Sequence, residues 1–352
     1  MAKDQSYLQW LTRDTPTLWW HDSGDPDELD FGLSHGACGV TTNPVLTAQA
    51  LAAQPEAWRD RIDASAVRDV TADEKVAALM RAVAVPAARR LEAAHRASTG
   101  NVGYVCAQVN PREAGKRESM LATARRYHTW APNIAVKLPV TAAGLDVLET
   151  CIAEGITVTA TVSFTVPQVI AIAERHRRGA SQARRDGIKP GRCFAVIMIG
   201  RLDDYLRDVA LDNRSSVDEA DIRSAGLAVT KRAYAIYQEE AYEATLLVAA
   251  LRGDYHMTEL AGARIVMSIH PSIQSRLLEP GVVREDRIGR PVDSGSIQRL
   301  MSMPEFIRAY EPDGMQPEDF ISYGATQRTL AQFDQAGWSF LEAFDQYRGD
   351  DL

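Results

Sequence analysis

Metal chemistry and disulfide scaffolding have little to draw on in this chain. Its seven histidines are scattered over 352 residues with no HxH or HExxH spacing, so the usual ligand pattern of a metal enzyme is missing and no metal site is expected. Cys38, Cys106, Cys151 and Cys193 form no CxxC pair, and three of them lie in or beside apolar runs. Buried reduced thiols are the expected state. No apolar run approaches the roughly 20 residues that cross a bilayer, and the opening MAKDQSYLQWLTRD has no basic patch leading into an apolar stretch. A cytoplasmic protein without membrane partners is expected. Basic residues are also in the minority, 39 Lys and Arg against 47 Asp and Glu, for a formal charge of -8. The summed field repels nucleic acid, so an anionic substrate needs a local cluster of donors. Linkers, repeats and low-complexity tracts are absent too, which favours one domain over residues 1–352.

What is present reads as alternating short strands and longer helices. Strand-like runs occur at 17–22 (TLWWHD), 38–43 (CGVTTN), 103–109 (GYVCAQV), 133–140 (NIAVKLPV), 157–164 (TVTATVSF), 193–200 (CFAVIMIG) and 264–270 (RIVMSIH), with a poorer eighth candidate at 286–292 (DRIGRPV). Alternation of this kind predicts an α/β fold, a (β/α)8 TIM barrel with additional helices. The intervals 46–101 and 202–263 exceed one crossover helix, and extra helices there explain the length beyond the ~250 residues of a plain barrel. Thr71 and Glu74 have capping-box spacing ahead of a stripe of Val76, Leu79, Met80 and Val83, a helix whose stripe is core. The Arg-rich segment 175–192 leads from a helix into the next strand. Such connections face away from a barrel's active end, so a solvated loop or a subunit contact is expected there.

Side chains alternate along a strand, so the two faces of each run can be compared. In 157–164 one face is Val158, Ala160, Val162 and Phe164, and the other Thr157, Thr159, Thr161 and Ser163; the polar set points into the barrel. The same parity turns Ile134, Val136 and Leu138 outward and Lys137 inward. Removing an ammonium from water costs several kcal/mol, so an inward lysine is either paired or used, and an amine that has given up its proton attacks carbonyls. An ion pair with an inward carboxylate, or a strand placed one residue off, remain open alternatives. Asp22, Asn43, Gln108 and Ser268 fall on the inward parity of their own runs, toward the strand ends where barrel enzymes place their chemistry.

GVTTNPVL (39–46) and IAVKLPVTAAGL (134–145) resemble the two signatures of the transaldolase family of class I aldolases. The similarity runs from DSGDPDEL (22–29) through GRLDD (200–204) to the weaker RIVMSIH, with a terminal helix at 329–344. The resemblance implies that Lys137 forms a Schiff base with a ketose, that Asp22 is the general acid/base, and that Thr161 with Gln108 holds the water of imine formation and hydrolysis. It places Asn43 on substrate hydroxyls, and Arg201 and Ser268 on a sugar phosphate. No metal or organic cofactor is implied, and carbohydrate metabolism of the pentose phosphate type is the expected setting. Read singly, Asp22 also suits a turn or cap carboxylate, Asn43 an Asx turn before Pro44, and Arg201 an ion pair with Asp203.

Several positions depart from the family pattern. Gln108 stands where transaldolases have Glu and fructose-6-phosphate aldolases have Gln; Met198 stands where those aldolases have Tyr. Val196 replaces Ser, Thr159 replaces a substrate-binding Asn, Val45 breaks the first signature, and His270 stands for a second phosphate-binding Arg. A neutral His offers one donor against five from a guanidinium, which points to a non-standard sugar, unphosphorylated or carrying another polar group, unless Arg201 or a loop residue compensates. The leading expectation is a transferase moving a dihydroxyacetone-type three-carbon unit from a ketose to an aldehyde. An aldol lyase releasing that unit, and a catalytically retired barrel serving as a binding protein, are the alternatives. The partner is a sugar or sugar phosphate, and a homo-oligomer is left open.

Overall fold

The computed structural model describes residues 6–59, 62 and 70–344. Among them eight parallel strands close into a barrel in chain order, the (β/α)8 architecture with additional helices expected from the alternation. The strands are β1 (Leu18–His21), β2 (Gly39–Val40), β3 (Tyr104–Gln108), β4 (Ile134–Pro139), β5 (Val158–Thr161), β6 (Cys193–Met198), β7 (Thr245–Ala249) and β8 (Val266–Ile269). Helices Pro44–Ala53, Pro55–Arg59 and Ala72–Ala97 fill the long interval after β2. Thr71 caps the last of these through the capping box with Glu74, and Val76, Leu79, Met80 and Val83 are buried.

Three expectations need correction. Residues 286–292 form irregular chain and a turn, not a strand; the missing strand is β7, inside the interval assigned to extra helices. After Thr245 the strand is uniformly apolar and buried, LLVA, as a strand covered on both faces should be, and such a run cannot be told from buried helix by period. The inward alternation of 157–164 stops at Thr161, because Val162 adopts φ +56°, a left-handed conformation rare for a β-branched residue. Ser163 therefore turns aside and donates to the Val196 carbonyl at 2.6 Å. The Arg-rich segment is largely helix, Val166–Arg185, with Arg175 paired to Asp146 and Glu149 and Arg184 to Glu243.

One end of the barrel is closed by aromatic side chains. Trp20 and Phe194 meet edge to face at 4.5 Å, and Phe194 meets Tyr104 at 5.3 Å. These residues come from β1, β6 and β3, which are not neighbours, so they can touch only inside the barrel. Gly39 on β2 makes room for the plug, since a Cβ there would lie 2.5 Å from the indole nitrogen of Trp20.

His21 faces the other way, into the helical layer. It is fully buried, with Nδ1 accepting from Gln274 at 3.0 Å and a Cβ on Gly32 excluded at 2.8 Å from Nδ1. Burial pushes its pKa down from 6.5 to about 4. A folded-state pKa below the unfolded one gives stability that is present above pH 6.5 and lost as pH falls toward 4, amounting to about 3 kcal/mol at most. Asp22 and Asp203, whose carboxyls burial raises, work in the opposite direction and offset part of this loss. The urea midpoint should thus fall between pH 6.5 and 4, and fall less in His21→Gln; equal slopes would remove His21 from the account.

Candidate functional site

At the opposite end from the plug the strand ends surround a cavity of about 600 Å³. Asp22, Thr41, Asn43, Lys137, Thr159, Thr161, Val196, Met198, Arg201, Ser268 and His270 all line it. A larger cleft of about 960 Å³ lies between the helices Pro26–Ser34 and Ala72–Ala97. It holds none of the strand-end residues, so the barrel mouth is the place for chemistry.

Lys137 sits on β4 with 5% exposure, its Nζ donating to the Thr42 carbonyl at 3.3 Å. Among the described residues it forms no ion pair with a carboxylate, so neither the paired reading nor a one-residue slip of the strand survives. Asp22 follows β1 directly and is held by its own N–H to the Ile269 carbonyl at 3.1 Å. Burial pushes its carboxyl above the ordinary range, while the charges of Lys137, His270 and Arg201 and the Ser268 hydroxyl pull it partly back. The cap of the following helix is Asp25, which leaves Asp22 free of a capping role.

β5 brings Thr159 and Thr161 to the same wall. Thr161 Oγ1 has only the weakly accepting Met198 sulfur at 4.0 Å, and Thr159 Oγ1 lies 3.5 Å from Cys106 Sγ. Gln108 pairs in register with Lys137 across β3 and β4 and so shares its inward face, but it is buried and does not line the cavity. Its Oε1 has no hydrogen-bond partner. Asn43 serves two ends at once: it lines the cavity and caps the helix Pro44–Ala53, accepting from the Leu46 N–H at 2.9 Å.

Arg201 does not pair with Asp203. It donates to Gln332, stacks 5.4 Å from the Phe333 ring, and keeps a buried Nε without a partner. Burial, reinforced by the charge of Arg252, pushes its pKa down to about 10, so it remains a cation at neutral pH. Gln332 and Phe333 reach the mouth because the C-terminal segment folds over it, tied down by Arg112 to Asp334 and Glu342 at 2.8 Å.

The second guanidinium of this wall is Arg252, which the sequence reading did not single out. It follows β7, lines the cavity, and donates through Nε and Nη2 to Asp204 at 2.9 and 2.6 Å. Its signal was the TLLVA run; recognising that strand would have placed ALRGD at a strand end. Ser268 and His270 belong instead to β8 and its exit. Ser268 Oγ lies 2.6 Å from Thr41 Oγ1, and His270 caps the helix Pro271–Leu277 through Nδ1, which accepts from the Ser272 N–H at 3.2 Å. Arg276, on that same helix, adds an exposed guanidinium at the rim. Among the described residues no cluster of three or more His, Cys, Asp or Glu is placed to hold a metal ion, and no helix is long and apolar enough to cross a membrane.

The profile of the family described as Transaldolase/Fructose-6-phosphate aldolase matches residues 19–335. "Transaldolase 1" of Streptomyces avermitilis is 31% identical over 246 residues, 66% of this chain and 64% of the relative. "Transaldolase" of Thermobifida fusca is 31% identical over 247 residues, 66% of each, and that of Thiobacillus denitrificans 29% over 257 residues, 69% and 71%. The matched stretch spans a little under two thirds of the length of the Streptomyces and Thermobifida relatives. With the profile running from β1 to the C-terminal segment over the barrel mouth, the chain belongs to the transaldolase/fructose-6-phosphate aldolase family.

Proposed function

We propose that the cavity runs Schiff-base chemistry on a ketose, and that it passes a dihydroxyacetone-type three-carbon unit to an aldehyde acceptor. The observation that carries this reading is a buried lysine amine with no carboxylate partner, opening on a cavity that also holds a carboxyl group with a raised pKa. The amine adds to the ketose carbonyl and water leaves, giving an iminium. Asp22 takes the proton from the hydroxyl on the far carbon of the bond to be broken; that carbon–carbon bond cleaves as this oxygen becomes the carbonyl of the departing aldehyde, and the bond's electron pair flows into the iminium. The enamine left on Lys137 attacks the acceptor aldehyde, and hydrolysis of the new iminium frees the product. Thr161, whose hydroxyl is not otherwise engaged by a strong acceptor, orients the water of these steps. Gln108, beside Lys137 on the neighbouring strand, supports it as a hydrogen-bonding group that cannot accept a proton.

Arg201 and Arg252 change the reading of the substrate. With Arg201 as the one guanidinium and His270 beside it, the sequence pointed to a non-standard sugar, but two guanidiniums line the wall after β6 and β7. A pair of guanidiniums matches a phosphate's geometry and charge, so a phosphorylated ketose is the proposed donor. Departures at Thr159 and Val196 lie deeper, beside the reacting carbons, and bear on the sugar's hydroxyls.

The test combines trapping with acceptor dependence. Borohydride added to the protein with fructose 6-phosphate should attach a three-carbon or hexose adduct to Lys137. Turnover of that donor should require an acceptor aldehyde such as erythrose 4-phosphate. Rapid turnover with no acceptor present would convert the assignment to an aldol lyase. Failure to trap any adduct across a panel of ketoses and their phosphates would leave the barrel as a binding protein.

A further inference from the structure

The loop that leaves β7 carries Arg252 along a path that needs support. Ala250 adopts φ +57°, a conformation glycine takes readily and other residues take at a cost. Its carbonyl lies so near Gly200 that a Cβ there would come within 2.4 Å of the oxygen. Behind this kink runs a buried chain of hydrogen bonds. The Arg252 N–H donates to His256 Nδ1 at 3.2 Å, and His256 Nε2 donates to Asp203 Oδ2 at 3.0 Å. The other Asp203 oxygen accepts from the Gly226 N–H at 2.8 Å. Asp203 and His256 are fully buried, and neither lines the cavity. Since Nδ1 must accept from a backbone N–H, the ring proton belongs on Nε2, and Nε2–H requires an acceptor opposite. A carboxylate at position 203 meets that requirement.

The chain starts two residues beyond Arg201 and ends on the backbone of Arg252, while the neighbouring Asp204 holds the Arg252 head group. One helical turn therefore controls both cations. We propose that the Asp203–His256 pair is a positioning device for the anion subsite, fixing the histidine tautomer that holds the β7 loop and so setting the Arg252 guanidinium against that of Arg201. This rests on the reading of those two arginines as the substrate's anion-binding residues.

Asp203→Asn tests it at nearly constant volume. An amide cannot present acceptors to both Gly226 N–H and His256 Nε2–H, so either its NH2 group meets the Gly226 N–H or the ring proton moves to Nδ1 and meets the Arg252 N–H. The expected result is a rise of about tenfold in KM for fructose 6-phosphate and in the inhibition constant of inorganic phosphate, with kcat little changed. Borohydride trapping of unphosphorylated dihydroxyacetone on Lys137 should proceed at the wild-type rate, which a general loss of structure would not permit. Unchanged phosphate inhibition, or equal losses on both substrates, overturns the proposal. Should the variant fail to fold, the double variant Asp203→Asn with His256→Leu keeps an acceptor for the Gly226 N–H while removing the link to the β7 loop, and the same outcomes apply. If inorganic phosphate does not inhibit the wild type at all, the anion-binding reading itself falls; if it inhibits wild type and variant equally, only the positioning role does.

Discussion

Lys137→Met removes borohydride-dependent attachment of ketose altogether and lowers kcat/KM by on the order of 10⁴-fold or more, since among the described residues that line the cavity Lys137 is the one primary amine. Methionine is close to lysine in length and suits the buried, apolar part of β4. The fold loses only the 3.3 Å bond to the Thr42 carbonyl, a cost of about 1–3 kcal/mol for the acceptor left behind. Mass spectrometry of the reduced adduct, alongside a thermal melt, separates lost chemistry from lost structure. Trapping that persists in a folded Lys137→Met protein would assign the imine to another lysine and end the proposed mechanism.

Asp22→Asn produces the opposite signature: imine forms and accumulates. The amide keeps the shape of the carboxyl but cannot take the hydroxyl proton, so kcat should fall by about 10²–10⁴-fold, the usual contribution of a positioned acid/base group. Trapping on Lys137 should remain efficient, now with the intact ketose on the lysine. The pH profile supplies an independent check. Burial holds the Asp22 carboxyl above the ordinary carboxylate range, and the proton-accepting form is the ionised one. Activity should therefore drop as pH falls through that raised value, at a higher pH than an exposed Asp would show. Asp22→Asn should flatten this acid limb; a limb of the same midpoint in the variant would point to a different base.

How far the sequence carried can be judged residue by residue. Lys137 was legible because β4 is long, its outward face is purely aliphatic, and a charged side chain inside such a pattern has few ways to be accommodated. Asp22, Thr161 and Asn43 were legible for the same reason, each lying near a strand end of clear parity. Arg252 was not, because its strand is apolar on both faces and follows a long helix, so period gave no boundary between them. That single omission moved the eighth strand to 286–292 and kept Arg252 out of the residues considered for the barrel mouth. Ser163 was misplaced by a local event, the left-handed turn at Val162, which alternation does not foresee. Gln332 and Phe333 were recognised only as part of a terminal helix; their place over the mouth depends on Arg112 gripping Asp334 and Glu342, contacts more than 200 residues apart in the chain.

The edge-to-face rings of Trp20, Phe194 and Tyr104 have a kinetic meaning for the proposed transfer. A vessel stoppered at its base has a single doorway, and everything that enters must leave the way it came. The first aldehyde has to clear that doorway before the second can reach the carbon waiting on Lys137, so the two half-reactions are forced to alternate, and the enamine meanwhile is sheltered on the side where no traffic passes.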